Sequence, residues 1–172
     1  IGSQVSVLAE SLGLRVIFYD IEPKLALGNA QSENSLDSLL EKSDIVTLHV
    51  AGSELTKNLM NESRISKMKK GAVLINLSRG DVMDISAVRK SIEENHLGGC
   101  GVDVFPDEPE SRKDKFNSPL QNLNNVILTP HIAGITKESQ AAINRVLVSE
   151  IECALTGQPQ RYAVGSVKQA KP

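Results

Sequence analysis

A chain of 172 residues, 40% hydrophobic and 23% charged, is long enough to bury one real core. Its formal charge of −2 leaves no electrostatic footprint for a polyanion, and 3% aromatic residues without Trp give no stacking platform for single-stranded nucleic acid. Nothing in it reads as a membrane span or a signal peptide, and Cys100 and Cys153 are too far apart for a metal knuckle, so they read as reduced thiols of a cytoplasmic protein.

The first residue is Ile1 rather than Met, so the chain is expected to be a piece of something longer. Ile1, Val5, Leu8, Ala9 and Leu12 fall on one helical face, and Gly13 suits the position past a helix end. Arg15 to Tyr19 is strand-forming and closes on Asp20, eighteen residues after Gly2. A glycine entering a helix, followed by a strand ending in an acid, is the back half of a dinucleotide fingerprint. The same Asp20 also suits the ordinary role of opening a turn before Pro23. A polar segment follows, then a short helix around Leu36, Leu39 and Leu40, a strand over 45–50 and a short helix over 63–68.

Val73, Leu74, Ile75 and Leu77 make an apolar run of the kind that forms a strand buried on both faces, and it stops at Ser78-Arg79-Gly80, where the glycine is expected to let the backbone turn. A helix over 84–95 ends at His96-Leu97-Gly98-Gly99, His96 reading as a helix-end residue. A strand over 101–105 leads into a polar loop, a strand over 126–128 ends in TPHIAG, and Thr136 caps a closing helix that Gly157 and Pro159 stop.

Strand alternating with helix implies a mostly parallel sheet. Parallel strands share one carboxyl edge, where ligands bind in open α/β sheets. Asp20, His49, Arg79, Asp103, Glu108 and His131 all fall at or just beyond strand ends, so the topology can bring them together. An arginine, an acid and a histidine at one rim suit the interconversion of a carbonyl and an alcohol on an anionic substrate. Arg79 can hold a carboxylate through two parallel hydrogen bonds. His131 can pass a proton to or from the carbonyl oxygen as a nicotinamide exchanges hydride. Glu108 can hold the other imidazole nitrogen. Taken singly, a loop charge for Arg79 or Glu108 and a satisfied structural histidine for His131 are the ordinary readings.

The runs LINLSRG (74–80), DVFPDEP (103–109) and TPHIAG (129–134) resemble the D-isomer-specific 2-hydroxyacid dehydrogenases, and LAESLGLRVIFYDI (8–21) resembles the branch that acts on 3-phosphoglycerate. The resemblance implies a Rossmann-like, doubly wound, mostly parallel α/β sheet lacking its first strand and first two glycines. It implies an NAD-binding domain over 1–160, N-terminally truncated, and a tail over 161–172. It places the catalytic residues at Arg79, Glu108 and His131, and cofactor contacts at Ile1, Gly2, Asp20, Val50, Leu77, Asp103, His131, Ala133 and Gly134. No metal is implied. Ala51 stands where many members carry Pro, and Ala133 and Ile135 where much of the 3-phosphoglycerate branch carries Gly and Ser.

The reaction implied is hydride transfer between NAD and a D-2-hydroxy acid, with 3-phosphoglycerate first and glyoxylate, hydroxypyruvate or lactate as alternatives. The full-length protein would be a cytoplasmic homodimer. Two readings of other classes stay open: an NAD-sensing corepressor that scarcely turns over, and a non-catalytic remnant packed against a partner. The intact Arg79, Glu108 and His131 favour the enzyme. Three expectations follow: NAD is preferred over NADP because of Asp20, the three residues line one cleft, and the 172-residue chain alone shows little activity.

Overall fold

In the computed structural model, which describes residues 1–109, 111 and 113–163, every ladder is parallel. The elements run α1 (Gly2–Ser11), β1 (Ile17–Phe18), β2 (Gln31–Ser32), α2 (Leu36–Lys42), β3 (Ile45–Leu48), α3 (Glu62–Ile65), β4 (Val73–Asn76), a 3-10 turn (Gly80–Val82), α4 (Ile85–Glu93), β5 (Gly99–Val102), β6 (Val126–Leu128) and α5 (Lys137–Leu155). This is the alternating α/β, Rossmann-like pattern expected. The helices begin where side chains satisfy free amides: Ser35, Asn61, Asp84 and Thr136 each accept from a first-turn N–H.

The strands form two sheets, β1-β2 and β3-β4-β5-β6. No strand among the described residues joins them, so β1 and β3 each keep one edge without a ladder partner. Register in the larger sheet pairs Ile45 with Val73, Val73 with Gly99 and Cys100 with Val126.

Burial departs from expectation in an instructive way. The run ending at Leu77 is buried on one face only: Leu74 and Asn76 are inside, Val73 and Ile75 half-buried and Leu77 exposed. β3 alternates likewise, Val46 and Leu48 in, Ile45 and Thr47 out. The core forms where Leu40, Ile65, Val88 and Ile92, from helices α2, α3 and α4, join Leu74 and Val102. The apolar face expected of α1 contributes no buried residue, nor does α5. The strand expected over 101–105 lies at Gly99–Val102, and the two-residue β2 falls in the segment read as merely polar.

Ile1–His131 form one compact unit and the chain from Ile132 onward another. In the second, α5 exposes Ile143, Leu147, Ile151 and Leu155. Of the expected tail over 161–172, residues 164–172 lie outside the described residues. No helix among the described residues is long and apolar enough to cross a membrane.

Candidate active site

Three strands of the larger sheet end in loops that carry the candidate site side chains, and each loop is tied down by its own polar contacts. At the end of β4, Asn76 is fully buried yet satisfied. Its Nδ2 donates to the Arg79 carbonyl at 2.9 Å, and its Oδ1 accepts from the Ser78 N–H at 3.0 Å and the Ser78 hydroxyl at 2.9 Å. A buried polar side chain that directs three hydrogen bonds at the next three residues fixes that turn. Arg79 leaves the turn exposed, its Nη1 donating to the Ser78 carbonyl at 2.7 Å and its Cγ 3.2 Å from where a side chain on Gly52 would begin. Among the described residues it forms no ion pair.

Gly80 is needed here for space rather than for an unusual φ. A Cβ on it would lie 2.1 Å from the Phe105 carbonyl carbon and 2.5 Å from the Pro106 nitrogen. The Arg79 turn therefore lies flush against the loop leaving β5. In that loop Glu108 folds back so that its Oε1 accepts from the Phe105 N–H at 3.0 Å. Its other oxygen, Oε2, lies 2.8 Å from Nδ1 of His131, from the loop after β6. Burial alone would raise the Glu108 pKa. The hydrogen bond and charge of His131, together with the Phe105 N–H, outweigh burial and the nearby Asp103, and hold it below the ordinary carboxylate value. Glu108 is then ionised and can only accept, so the proton in the contact sits on His131 Nδ1 and Nε2 is left as the working nitrogen. His131 itself has φ +52°, a left-handed backbone uncommon outside glycine. Such conformations gather at functional sites, held by their surroundings.

The expected cofactor residues are placed as follows. Asp103, at the end of β5, is buried and accepts from the Thr129 hydroxyl at 2.5 Å, linking the β5 and β6 loops. Asp20, just past β1, is exposed and accepts from the Glu22 N–H at 2.9 Å. Val50 is half-buried after β3, and Leu77 is exposed after β4. Ile1 is exposed at the start of α1 and gives no side-chain cap; Gly2 packs on His49, the site of a Cβ lying 3.4 Å from the ring. Burial pushes the His49 pKa down. Ala133 and Gly134 belong to the second unit, where the Gly134 carbonyl accepts from the Ser139 hydroxyl. The sequence reading missed Asn76 and Thr129, and it took Gly80 for a turn former. His96 is structural as expected, half-buried with Nε2 3.2 Å from the Ile65 carbonyl. Among the described residues no cluster of three His, Cys, Asp or Glu is placed to hold a metal.

Residues 1–133 match the family model described as the D-isomer specific 2-hydroxyacid dehydrogenase, NAD binding domain. The chain is 54% identical over 143 residues to a D-3-phosphoglycerate dehydrogenase of Haemophilus influenzae and 52% identical to that of Escherichia coli. Each alignment covers 83% of this chain and 35% of the relative, so the chain spans about a third of the length of the curated relatives it matches. The crystal structure of D-lactate dehydrogenase with NAD+ from Lactobacillus jensenii superposes with a TM-score of 0.85 at 25% identity, covering 96% of this chain and 53% of that one.

Proposed function

This chain belongs to the D-isomer-specific 2-hydroxyacid dehydrogenases as their NAD-binding domain, and on that premise we propose that it carries the catalytic side of a site that oxidises a D-2-hydroxy acid. The observation that carries the reading is the Glu108–His131 pair, 2.8 Å apart on loops leaving neighbouring parallel strands. Arg79 binds the substrate carboxylate, its planar fork matching two oxygens. His131 Nε2 takes the hydroxyl proton in oxidation and returns it in reduction. Glu108 fixes the tautomer through Nδ1 and stabilises the imidazolium that results. NAD, when bound, supplies the carbon that exchanges hydride with the substrate.

The residues present suit such a cofactor. The first turn of α1 carries no side-chain cap and no acid, leaving its amides for a phosphate, and Asp20 offers an exposed carboxylate for ribose hydroxyls. A carboxylate there repels a 2′-phosphate, which favours NAD over NADP. The unpaired edges of β1 and β3 suit one further parallel strand supplied from outside the described residues. We read 1–160 as this domain lacking that strand, with 161–172 as a tail.

The substrate best supported is 3-phosphoglycerate, on the identity with enzymes named for it. The free thiols Cys100 and Cys153 suit the cytoplasm, and the exposed apolar residues of α5 suit a dimer of the full-length protein. The test is steady-state kinetics on the full-length protein with NAD and 3-phosphoglycerate, then NADP and other 2-hydroxy acids. His131→Ala should lower kcat by roughly 10²–10⁴-fold. Arg79→Ala, losing two charge-assisted bonds, should lower kcat/KM by on the order of 10²-fold or more, with KM rising. Full activity without His131 refutes the reading. The 172-residue chain alone should show little turnover.

A further inference from the structure

We infer that Gly80 is a positioning residue which locks the Arg79 turn to the Glu108 loop, so that the anchor of the Glu108–His131 pair is set by the absence of a side chain beside Arg79. The inference rests on the roles proposed above for Arg79, Glu108 and His131, and its contact geometry stands apart from them. Gly80 is buried, and a Cβ on it would meet the Phe105 carbonyl carbon at 2.1 Å, its oxygen at 2.2 Å and the Pro106 nitrogen at 2.5 Å. These are backbone atoms, so no rotamer relieves the clash. Reaching the ~3.5 Å of ordinary contact moves one backbone by about 1 Å or more.

Each side of that contact leads to a reactive group. On one side the turn is bound to the sheet by Asn76, whose Nδ2 holds the Arg79 carbonyl at 2.9 Å. That side is stiff, because Asn76 is fully buried at the end of a core strand. On the other, the Phe105 residue displaced by a Cβ is the one whose N–H holds Glu108 Oε1 at 3.0 Å. Glu108 Oε2 in turn holds His131 Nδ1 at 2.8 Å. Displacing Phe105 therefore reaches the imidazole through two hydrogen bonds, while Arg79 stays with the turn. Misplacement of a reacting group by about 1 Å is worth on the order of 10²-fold in rate. Gly80→Ala should thus behave like a Glu108 variant rather than an Arg79 variant.

Gly98 supplies a matched control. A Cβ there would lie 2.3 Å from the Gly71 carbonyl oxygen, a comparable backbone clash just before β5, at the opposite edge of the sheet. The experiment follows the carboxyl carbon of Glu108 by NMR in the 172-residue chain as pH is lowered. The groups acting on that carboxylate are His131, the Phe105 N–H and Asp103. Losing the contacts with His131 and the Phe105 N–H moves its midpoint up, so Gly80→Ala should raise it and Gly98→Ala should leave it in place. In the full-length protein, Gly80→Ala should lower kcat by on the order of 10²-fold with KM changed little. If Gly80→Ala does not fold, the same titration is made with Gly80→Ala combined with Pro106→Gly, which frees the opposing backbone to retreat, and the midpoint should again rise. An unmoved Glu108 midpoint in the folded Gly80 variant, or an equal rise in Gly98→Ala, overturns the inference. A full-length protein inactive on every 2-hydroxy acid would overturn the catalytic roles instead, and the titration would still decide the coupling.

Discussion

Replacing Asn76 by Ala tests the hold on the Arg79 turn directly. Asn76 has no exposed surface and makes three hydrogen bonds, at 2.9, 3.0 and 2.9 Å, to the Arg79 carbonyl and to the Ser78 N–H and hydroxyl. At about 1 kcal/mol net for each bond, the substitution should cost about 3 kcal/mol, more if the Ser78 N–H and the Arg79 carbonyl find no water. For a domain whose whole stability is about 5–15 kcal/mol this is a large share. With a urea m-value of about 2 kcal/mol per molar, the midpoint should fall by about 1.5 M. Asn76→Asp discriminates further. It keeps an acceptor for Ser78 but turns the Nδ2 donor into an oxygen facing the Arg79 carbonyl, so it should be no better tolerated than Ala at neutral pH. The assay is equilibrium urea unfolding of the 172-residue chain followed by circular dichroism. A midpoint shift equivalent to less than ~0.5 kcal/mol for Asn76→Ala would show that the turn is held by something else, and the account of how Arg79 is presented would fail.

Two further outcomes check other parts of the structure. Ser91 is buried on α4 and its hydroxyl has no partner among the described residues, so Ser91→Ala should be neutral or stabilising by about 1 kcal/mol; a loss of that size in urea unfolding would mean the hydroxyl is satisfied. Burial pushes the Cys100 thiol up to about 12 from 9.0, so the folded chain keeps a proton that the unfolded chain releases above pH 9. The Cys100 contribution is therefore complete below pH 9 and falls as pH rises towards 12, by about 2 kcal/mol at pH 10.5. Unfolding of wild type and Cys100→Ala at pH 8 and 10.5 should show their difference shrinking by that amount; parallel behaviour would sink it.

What the sequence disclosed, it disclosed through contrast along the chain. Arg79 and His131 stood out because each follows an apolar strand run, and several polar groups at the carboxyl ends of parallel strands can meet at the edge where ligands bind. Glu108 was legible as an acid just beyond the expected strand over 101–105 and through the run DVFPDEP. Asn76 escaped notice because it sits inside the strand run, where a polar residue looks like the start of a loop; only its three partners reveal a buried clamp. Gly98-Gly99 looked like a helix stop followed by a turn, which hid the start of β5. The spacing of strands explains those glycines better, since a Cβ on Gly99 would approach the Asn125 carbonyl oxygen to 2.8 Å. β2 had no signal at all, being two exposed polar residues paired by backbone alone. Periodicity correctly placed α1 and α5 but overstated their burial, because an amphipathic pattern records which face can be buried and not whether a partner is present.

That difference separates the two halves of the proposed site. Arg79, Glu108 and His131 hang from β4, β5 and β6, strands whose inner face carries Leu74, Cys100 and Val102 within the core. Their loops are closed by Asn76, by the Phe105 N–H and by the Asp103–Thr129 bond, all within the same unit. Gly2 and Asp20, the groups suited to the cofactor, belong instead to α1 and to the two-stranded sheet, which bury no side chain completely. Elements with few buried contacts open at little free-energy cost, whereas core strands open only near the global limit. The catalytic pair should consequently keep its geometry in this chain even where the cofactor seat does not form. Lack of turnover by the isolated chain then reports on cofactor binding, and the Glu108 titration remains a fair measure of the catalytic pair in the same sample.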